Sequence, residues 1–477
     1  MPPAEALYYS TQMIRHWALT RALLGVLWIS RLGYAGVTEG GPQKLSDVSS
    51  IGESLRNAGQ RAIHILYVHG IGATGAGDSK RFQRSVCAFL KDCSPPAGPD
   101  SRDYADTGLF TNGAQPPNAR YLGQQIWRSA EEFSAAAPFV DHYLLKRSKG
   151  GPIVVDEINW WPLVFALKCR AMLPGEARLA GPNAGLLGVC SQKTEPDSAS
   201  PGRFRSYAWI SSAEAKKLTA MPSRAALVNH DLKDALLDWG FSDALMAVGS
   251  MHDFFREGMR QLFVKAARFK ADGSKTDEWQ AEALDPKTTD REFIVVSHSL
   301  GSYLVFSTLN VDGANVADAA PDSSIDQGRE DLAARYILGR TSLVYFFANQ
   351  VPLLELANVE RAHGGAAALG GALQQAPSMA NRINAWKQLR QDVIQKSAPG
   401  PATPRQPPQV IAWSDPSDLL SWHVPSIDGI IIVNLYVRNA WWHWLFESPG
   451  AAHDNYAVNH DVIHVMLGPP ATRDGER

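Results

Sequence analysis

The sequence predicts an α/β protein: a mostly parallel central sheet flanked by helices and carrying large helical insertions. Three observations lead there. Short apolar, β-branched runs such as 293–296 and 341–348 recur along the chain and read as buried strands. Stretches with helical spacing alternate with them, which argues for one layered sheet rather than separate domains. At the sharpest junction, Glu292-Phe-Ile-Val-Val-Ser-His-Ser-Leu-Gly-Ser-Tyr-Leu-Val-Phe306, strand passes into helix through a turn with Ser299 at its apex.

Composition sets the bounds. With 477 residues, 45% of them hydrophobic, the chain can bury a large core. Lys and Arg number 46 against 48 Asp and Glu, a net charge of −2, so no basic footprint for nucleic acid is present. No run reaches the roughly 18–20 uninterrupted apolar residues that a transmembrane span requires. Near the start, Arg15 and Arg21 precede an apolar run at 22–29, and Gly33-Tyr34-Ala35 offers a cleavage site. That pattern resembles an export signal. Arg31, directly after the run, fits an amphipathic surface helix instead and tips the balance slightly toward a cytoplasmic chain. Cys87 and Cys93 are close enough to pair and Cys169 and Cys190 offer a second bridge, but four buried thiols fit equally well. None has the spacing of a zinc site.

Taken in order, residues 1–60 read as an N-terminal lead-in, polar and glycine-rich over 36–60, to a single domain over 61–470 with insertions near 95–150, 171–285 and 360–408. Residues 62–68 form a buried strand ending in His69-Gly70-Ile71-Gly72, and 80–90 have helical spacing. This glycine-rich turn has no G-K-[ST] ending and no dinucleotide spacing. It reads instead as a loop whose backbone N–H groups approach a developing negative charge. Residues 95–118 are an exposed excursion rich in Pro, Gly, Asp and Asn, and 153–158 form another core strand. A long helical run over 224–269, broken near Gly240 and Gly249, is either a lid over the pocket or a packed cap.

After the serine turn, 311–330 are polar and acidic, and the strand at 341–348 ends in Asn349-Gln350. That pair either lines the pocket or satisfies exposed backbone groups. Residues 379–396 are helical and 397–408 are a proline-rich linker. A strand at 409–413 runs into Ser414-Asp-Pro-Ser-Asp-Leu-Leu420, and 429–437 form the last strand. Trp441, Trp442 and Trp444 follow it and read as a cluster over the sheet edge.

A serine nucleophile needs a base to take its proton, and the base needs an acid to hold its tautomer. Here Ser299 ends one strand, Asp415 and Asp418 follow a later strand, and His453 lies beyond the last. The pieces Val68-His-Gly-Ile-Gly72, Ser297-His-Ser-Leu-Gly301, Ser414-Asp-Pro-Ser-Asp-Leu-Leu420 and His453-Asp-Asn-Tyr456 together resemble the α/β-hydrolase superfamily, in its lipase and esterase group. Ser297 departs from the family's pattern by replacing the first glycine of G-x-S-x-G.

The resemblance implies an α/β-hydrolase fold and a triad of Ser299, Asp418 and His453. It also implies an oxyanion hole made by the backbone N–H groups of Ile71 and Leu300. Asp418, ahead of two leucines, matches the family's acid better than Asp415, which reads as a turn-capping carboxylate. Among the other histidines, His298 reads as packing beside the site, His443 as structural, and His460 and His464 as surface or packing residues. The expected activity is hydrolysis of a small carboxylic ester or lipid through an acyl-enzyme, with neither metal nor organic cofactor required. An acyltransferase or thioesterase would use the same triad, and a non-catalytic binding protein would share the fold without the chemistry.

Overall fold

The computed structural model describes residues 37–40, 45–59, 61–70, 77–106, 137–169, 190, 213, 241–249, 251–284, 291–308, 325–355, 379–396, 408–427, 429–439 and 449–468. The sheet belongs to a compact unit spanning Thr38–Arg477. In chain order the described elements are β1 (Thr38–Glu39), α1 (Ile51–Ala58), β2 (Ile63–Val68), α2 (Lys80–Leu90), β3 (Ser101–Tyr104), β4 (Phe139–Leu145), β5 (Ile153–Asn159) and α3 (Trp161–Leu167). Then come α4 (Ser242–Val248), α5 (His252–Arg268), α6 (Glu278–Leu284), β6 (Glu292–His298), α7 (Leu300–Thr308), α8 (Ile325–Arg340) and β7 (Thr341–Phe347). The last are α9 (Val351–Glu355), α10 (Met379–Lys396), β8 (Gln409–Ser414), β9 (Ile431–Tyr436), α11 (Pro449–Asp454) and α12 (His460–Leu467).

The strands form one nine-stranded sheet in the order β1-β9-β8-β7-β6-β2-β5-β4-β3. Its centre, from β9 across to β5, is parallel throughout. Antiparallel β4 and β3 close one edge and antiparallel β1 the other. Strands β2, β5, β7 and β8 are buried along their whole length. That is the burial of parallel strands covered by helices on both faces, and it explains their near-continuous apolar runs. The protein is therefore α/β, as its alternating pattern predicts.

Chain order places the functional end. From β2 the chain passes to the far edge at β3, works back through β4 to β5, and then lays β6 on the other side of β2. Among the parallel strands, β5 and β6 thus flank β2 on opposite sides, the kind of switch at whose strand C-termini α/β sheets place their ligands. Register aligns Val68 with Ser297, which brings His69-Gly70 beside His298-Ser299.

Two boundaries differ from the sequence reading. The 95–150 stretch is not simply an insertion, because β3 and β4 extend the sheet from within it. Strand β4 hides its nature by carrying Asp141 and His142, which are buried against Arg102 and Asp156 respectively. The 1–60 lead-in also contributes structure: β1 pairs with β9, and Ile51 and Leu55 of α1 are buried. Ser50 caps α1 by accepting the Glu53 N–H.

Of the 224–269 run, the described half is core. Phe254, Phe255, Met259, Leu262 and Phe263 of α5 are fully buried. A helix with that much apolar surface removed from water is a packed element rather than a cover. Residues 222–240 lie outside the described residues, as do the export-like stretch 13–35, the 397–407 linker, and Trp441, Trp442, His443 and Trp444. Both cysteine pairs are bonded, Cys87 to Cys93 at the end of α2 and Cys169 to Cys190. Among the described residues, no helix is long and apolar enough to cross a membrane.

Candidate active site

Ser299 sits where β6 turns into α7 and takes a φ of +54°. This left-handed conformation is uncommon and strained for a residue with a Cβ. The surroundings hold it. The Ser299 N–H donates to the Phe347 carbonyl at 2.7 Å, and its own carbonyl accepts from Ser302 N–H at 3.0 Å.

The neighbouring strand comes close enough to demand glycine twice. A Cβ on Gly70 would lie 2.8 Å from the Ser299 Cβ. One on Gly301 would lie 2.7 Å from the Val68 carbonyl oxygen and nearer still to that of His69. The Ser297 hydroxyl at the end of β6, though buried, donates to Ser302 Oγ at 3.2 Å.

Three side chains form a continuous chain of hydrogen bonds. His453 Nε2 lies 2.8 Å from Ser299 Oγ, and its Nδ1 lies 2.9 Å from Asp418 Oδ1. The carboxylate has no proton to give, so Nδ1 is the protonated nitrogen and Nε2 accepts the serine hydroxyl. Asp418 Oδ1 also accepts the Leu420 N–H at 2.9 Å, and Oδ2 accepts the Tyr456 hydroxyl at 3.2 Å. Its lone pairs are thus aimed before any substrate arrives. Tyr456 in turn accepts the Asp415 N–H at 2.7 Å, and burial, then the Asp418 charge, raises its hydroxyl pKa far above the usual value.

Asp415 does different work. Its Oδ1 accepts the Ser417 N–H at 2.8 Å and its Oδ2 the Asn439 N–H at 2.5 Å, which shapes the turn.

Two further histidines flank the triad. His298 Nε2 donates to the His453 carbonyl at 2.6 Å. Burial, reinforced by the neighbouring His453, pushes its pKa down to about 3, so the ring stays neutral. His69 is likewise neutral, its pKa lowered to about 4 by burial. Trp160 stacks on it with centroids 5.0 Å apart and donates Nε1–H to its carbonyl at 3.1 Å, pinning the end of β2. His460 and His464 are exposed on α12, away from this chain of bonds.

Of the expected oxyanion donors, Leu300 opens α7 directly after Ser299, and Ile71 lies outside the described residues. The sequence leaves Gln350 open between lining the pocket and satisfying backbone groups, and Gln350 reaches the site. Its Nε2–H donates to Ser299 Oγ at 2.8 Å. No motif marks a glutamine at a strand end; only the turn after β7 brings it there. Its neighbour Asn349 satisfies backbone instead, accepting the Val351 N–H and donating to the Trp422 carbonyl.

Among the described residues, one group has metal-ligand spacing: His298, His453 and Asp454, with ligand atoms within 4.8 Å of one another. There His453 commits both ring nitrogens to Ser299 and Asp418, and His298 commits Nε2 to a carbonyl. The donors are arranged for hydrogen bonds rather than for an ion.

No family model, no curated protein and no solved structure matches this chain.

Proposed function

We propose that the chain is a serine hydrolase of the α/β-hydrolase type that cleaves carboxylic esters through an acyl-enzyme. The observation that carries this reading is the unbroken Asp418–His453–Ser299 chain, ending on a serine in a left-handed turn at the C-terminal edge of the sheet. Structural serines have no need of a strained backbone and a buried, tautomer-fixed imidazole.

In acylation, Ser299 Oγ attacks the ester carbonyl carbon while its proton passes to His453 Nε2. The carbonyl pair moves onto oxygen, facing the N–H groups at the start of α7, whose dipole favours negative charge. The C–O bond to the alcohol then breaks, and His453 returns the proton to the leaving oxygen. Water repeats the sequence, and Asp418 stabilises the imidazolium each time. Small apolar and lipid esters are the substrate class in view, since Leu419 and Trp422, on the loop bearing Asp418, are exposed apolar side chains.

A fluorophosphonate probe tests this reading on the wild type beside Ser299→Ala and His453→Ala. The expected result is labelling of the wild type alone, with p-nitrophenyl esters turned over. A folded wild type that neither labels nor hydrolyses would sink the hydrolase and favour a binding protein on the same fold.

A further inference from the structure

We infer that Gln350 is a catalytic residue, an amide donor on the nucleophile oxygen that acts when the C–Oγ bond forms and again when it breaks. The inference rests on the serine-hydrolase reading above and adds a fourth group to its triad.

The geometry begins with two adjacent turns. Strand β6 ends in Ser299 with φ +54°, and β7 ends in Ala348 with φ +51°. Non-glycine residues seldom adopt this conformation, and two of them at neighbouring strand ends is a costly arrangement. Ladder bonds hold both in step, Ser299 N–H to the Phe347 carbonyl and Ala348 N–H to the Trp413 carbonyl at 3.1 Å. The first turn lifts Ser299 off the sheet. The second carries Gln350 over it, with Asn349 clamped to Trp422 and α9 beginning at Val351. Gln350 is 3% exposed, so its amide is held in place by packing.

At the oxygen, the bonds can be counted. Ser299 Oγ carries its Cβ, a proton directed at His453 Nε2, and two lone pairs. Gln350 Nε2–H occupies one lone pair and leaves the other free for the carbonyl carbon. With that lone pair held, two of the three sites on Oγ remain for the proton, and one of them faces His453 Nε2.

The chemical consequence follows from charge. As the proton leaves for His453 and before the new C–O bond is complete, Oγ is partly an alkoxide. A donor on an oxygen gaining negative charge binds it more tightly than the resting hydroxyl, since charge-assisted hydrogen bonds are roughly twice as strong as neutral ones. In the acyl-enzyme Oγ is an ester oxygen and a poor acceptor. When water's tetrahedral adduct collapses, the C–Oγ bond breaks, the bonding pair returns to Oγ, and the His453 proton follows it. Gln350 then meets the same developing charge as in the first step. Stabilisation confined to the transition states raises kcat and leaves substrate binding alone.

Gln350→Met and Gln350→Glu test this on the full chain. Methionine keeps the volume and donates nothing; glutamate keeps the shape and presents an acceptor. Pre-steady-state hydrolysis of p-nitrophenyl acetate separates the burst from turnover. The expected result for Gln350→Met is a fall of about 10- to 100-fold in both acylation and deacylation, with the Michaelis constant for a slow-turnover ester within about twofold. Gln350→Glu should be slower still at pH 8, since a carboxylate opposes the forming alkoxide. An active, labelled wild type beside a folded Gln350→Met with both rates within about threefold would overturn the role of Gln350 alone. A wild type that neither labels nor turns over would remove the hydrolase reading and this inference with it.

Discussion

Asp415 and Asp418 share one loop, and their hydrogen-bond partners assign them separate jobs. Asp418 receives the His453 Nδ1–H, so Asp418→Asn should present an amide that competes for the tautomer. Loss of the acid in such a triad costs on the order of 10⁴-fold in kcat while geometry is retained. Asp415 receives two backbone N–H groups that shape the turn. Asp415→Asn should cost about 1–2 kcal/mol of stability and leave kcat within about threefold. Steady-state kinetics and a urea melt on the two variants check the pair together; equal kinetic losses would mean that the acid has been misassigned. At this scale chain order brings out Ser299, His453 and the pair Asp415 and Asp418, and the resemblance favours Asp418 of the two. The role of Gln350 stays open because it comes from the left-handed Ala348, and nothing about an alanine announces a positive φ.

Element contacts decide how the site is carried. The end of β2 and the start of α7 approach until backbone meets backbone at Gly301, whose Cβ position is blocked by the Val68 and His69 carbonyl oxygens. The Val68 oxygen belongs to the last residue of β2, and the His69 oxygen is held by the Trp160 indole N–H, so neither withdraws freely. Gly301→Ala should therefore destabilise by about 1–3 kcal/mol. It should also lower kcat more than any surface Gly→Ala change, because the first turn of α7 must shift. Thermal melts and p-nitrophenyl ester turnover measure both; a fully active, equally stable variant would show that the close approach is not required.

Legibility also varied by element. Strands β6, β7 and β8 are continuous apolar runs and can be read directly. Strand β4 cannot, because His142 and Asp141 interrupt its pattern. Their partners, Asp156 on β5 and Arg102 on β3, are supplied only by the sheet.

For the whole molecule, the two neutral histidines of the site link stability to pH. The folded pKa of His298 is about 3 and that of His69 about 4, against 6.5 for an ordinary histidine. Unfolding lets both rings take up protons more readily, so the unfolded chain binds more protons between those values. The sign is then fixed: their contribution is fully present above about pH 6.5 and is lost as pH falls toward 4 and then 3. Replacing His298 by glutamine, which keeps a donor for the His453 carbonyl, should flatten the acid limb. Melting temperatures measured from pH 8 down to pH 4 test this. Parallel curves for wild type and His298→Gln would rule out His298 as a source of the slope.

The paired left-handed turns have one more consequence. Ser299, Ala348 and Trp413 are joined sideways by ladder bonds, so nucleophile, amide donor and the start of the acid loop are yoked at one height on the sheet. Tolerance to added chain length becomes uneven as a result. Added length between α7 and α8 or between α10 and β8 falls between elements and leaves the residue count along β6, β7 and β8 unchanged. A single residue inserted within β7 would turn the side chains beyond it to the opposite face, or force a bulge, and shift the Gln350 amide relative to the Ser299 oxygen. Natural variation in proteins built this way should gather in the long connections, and the strand ends should keep their count.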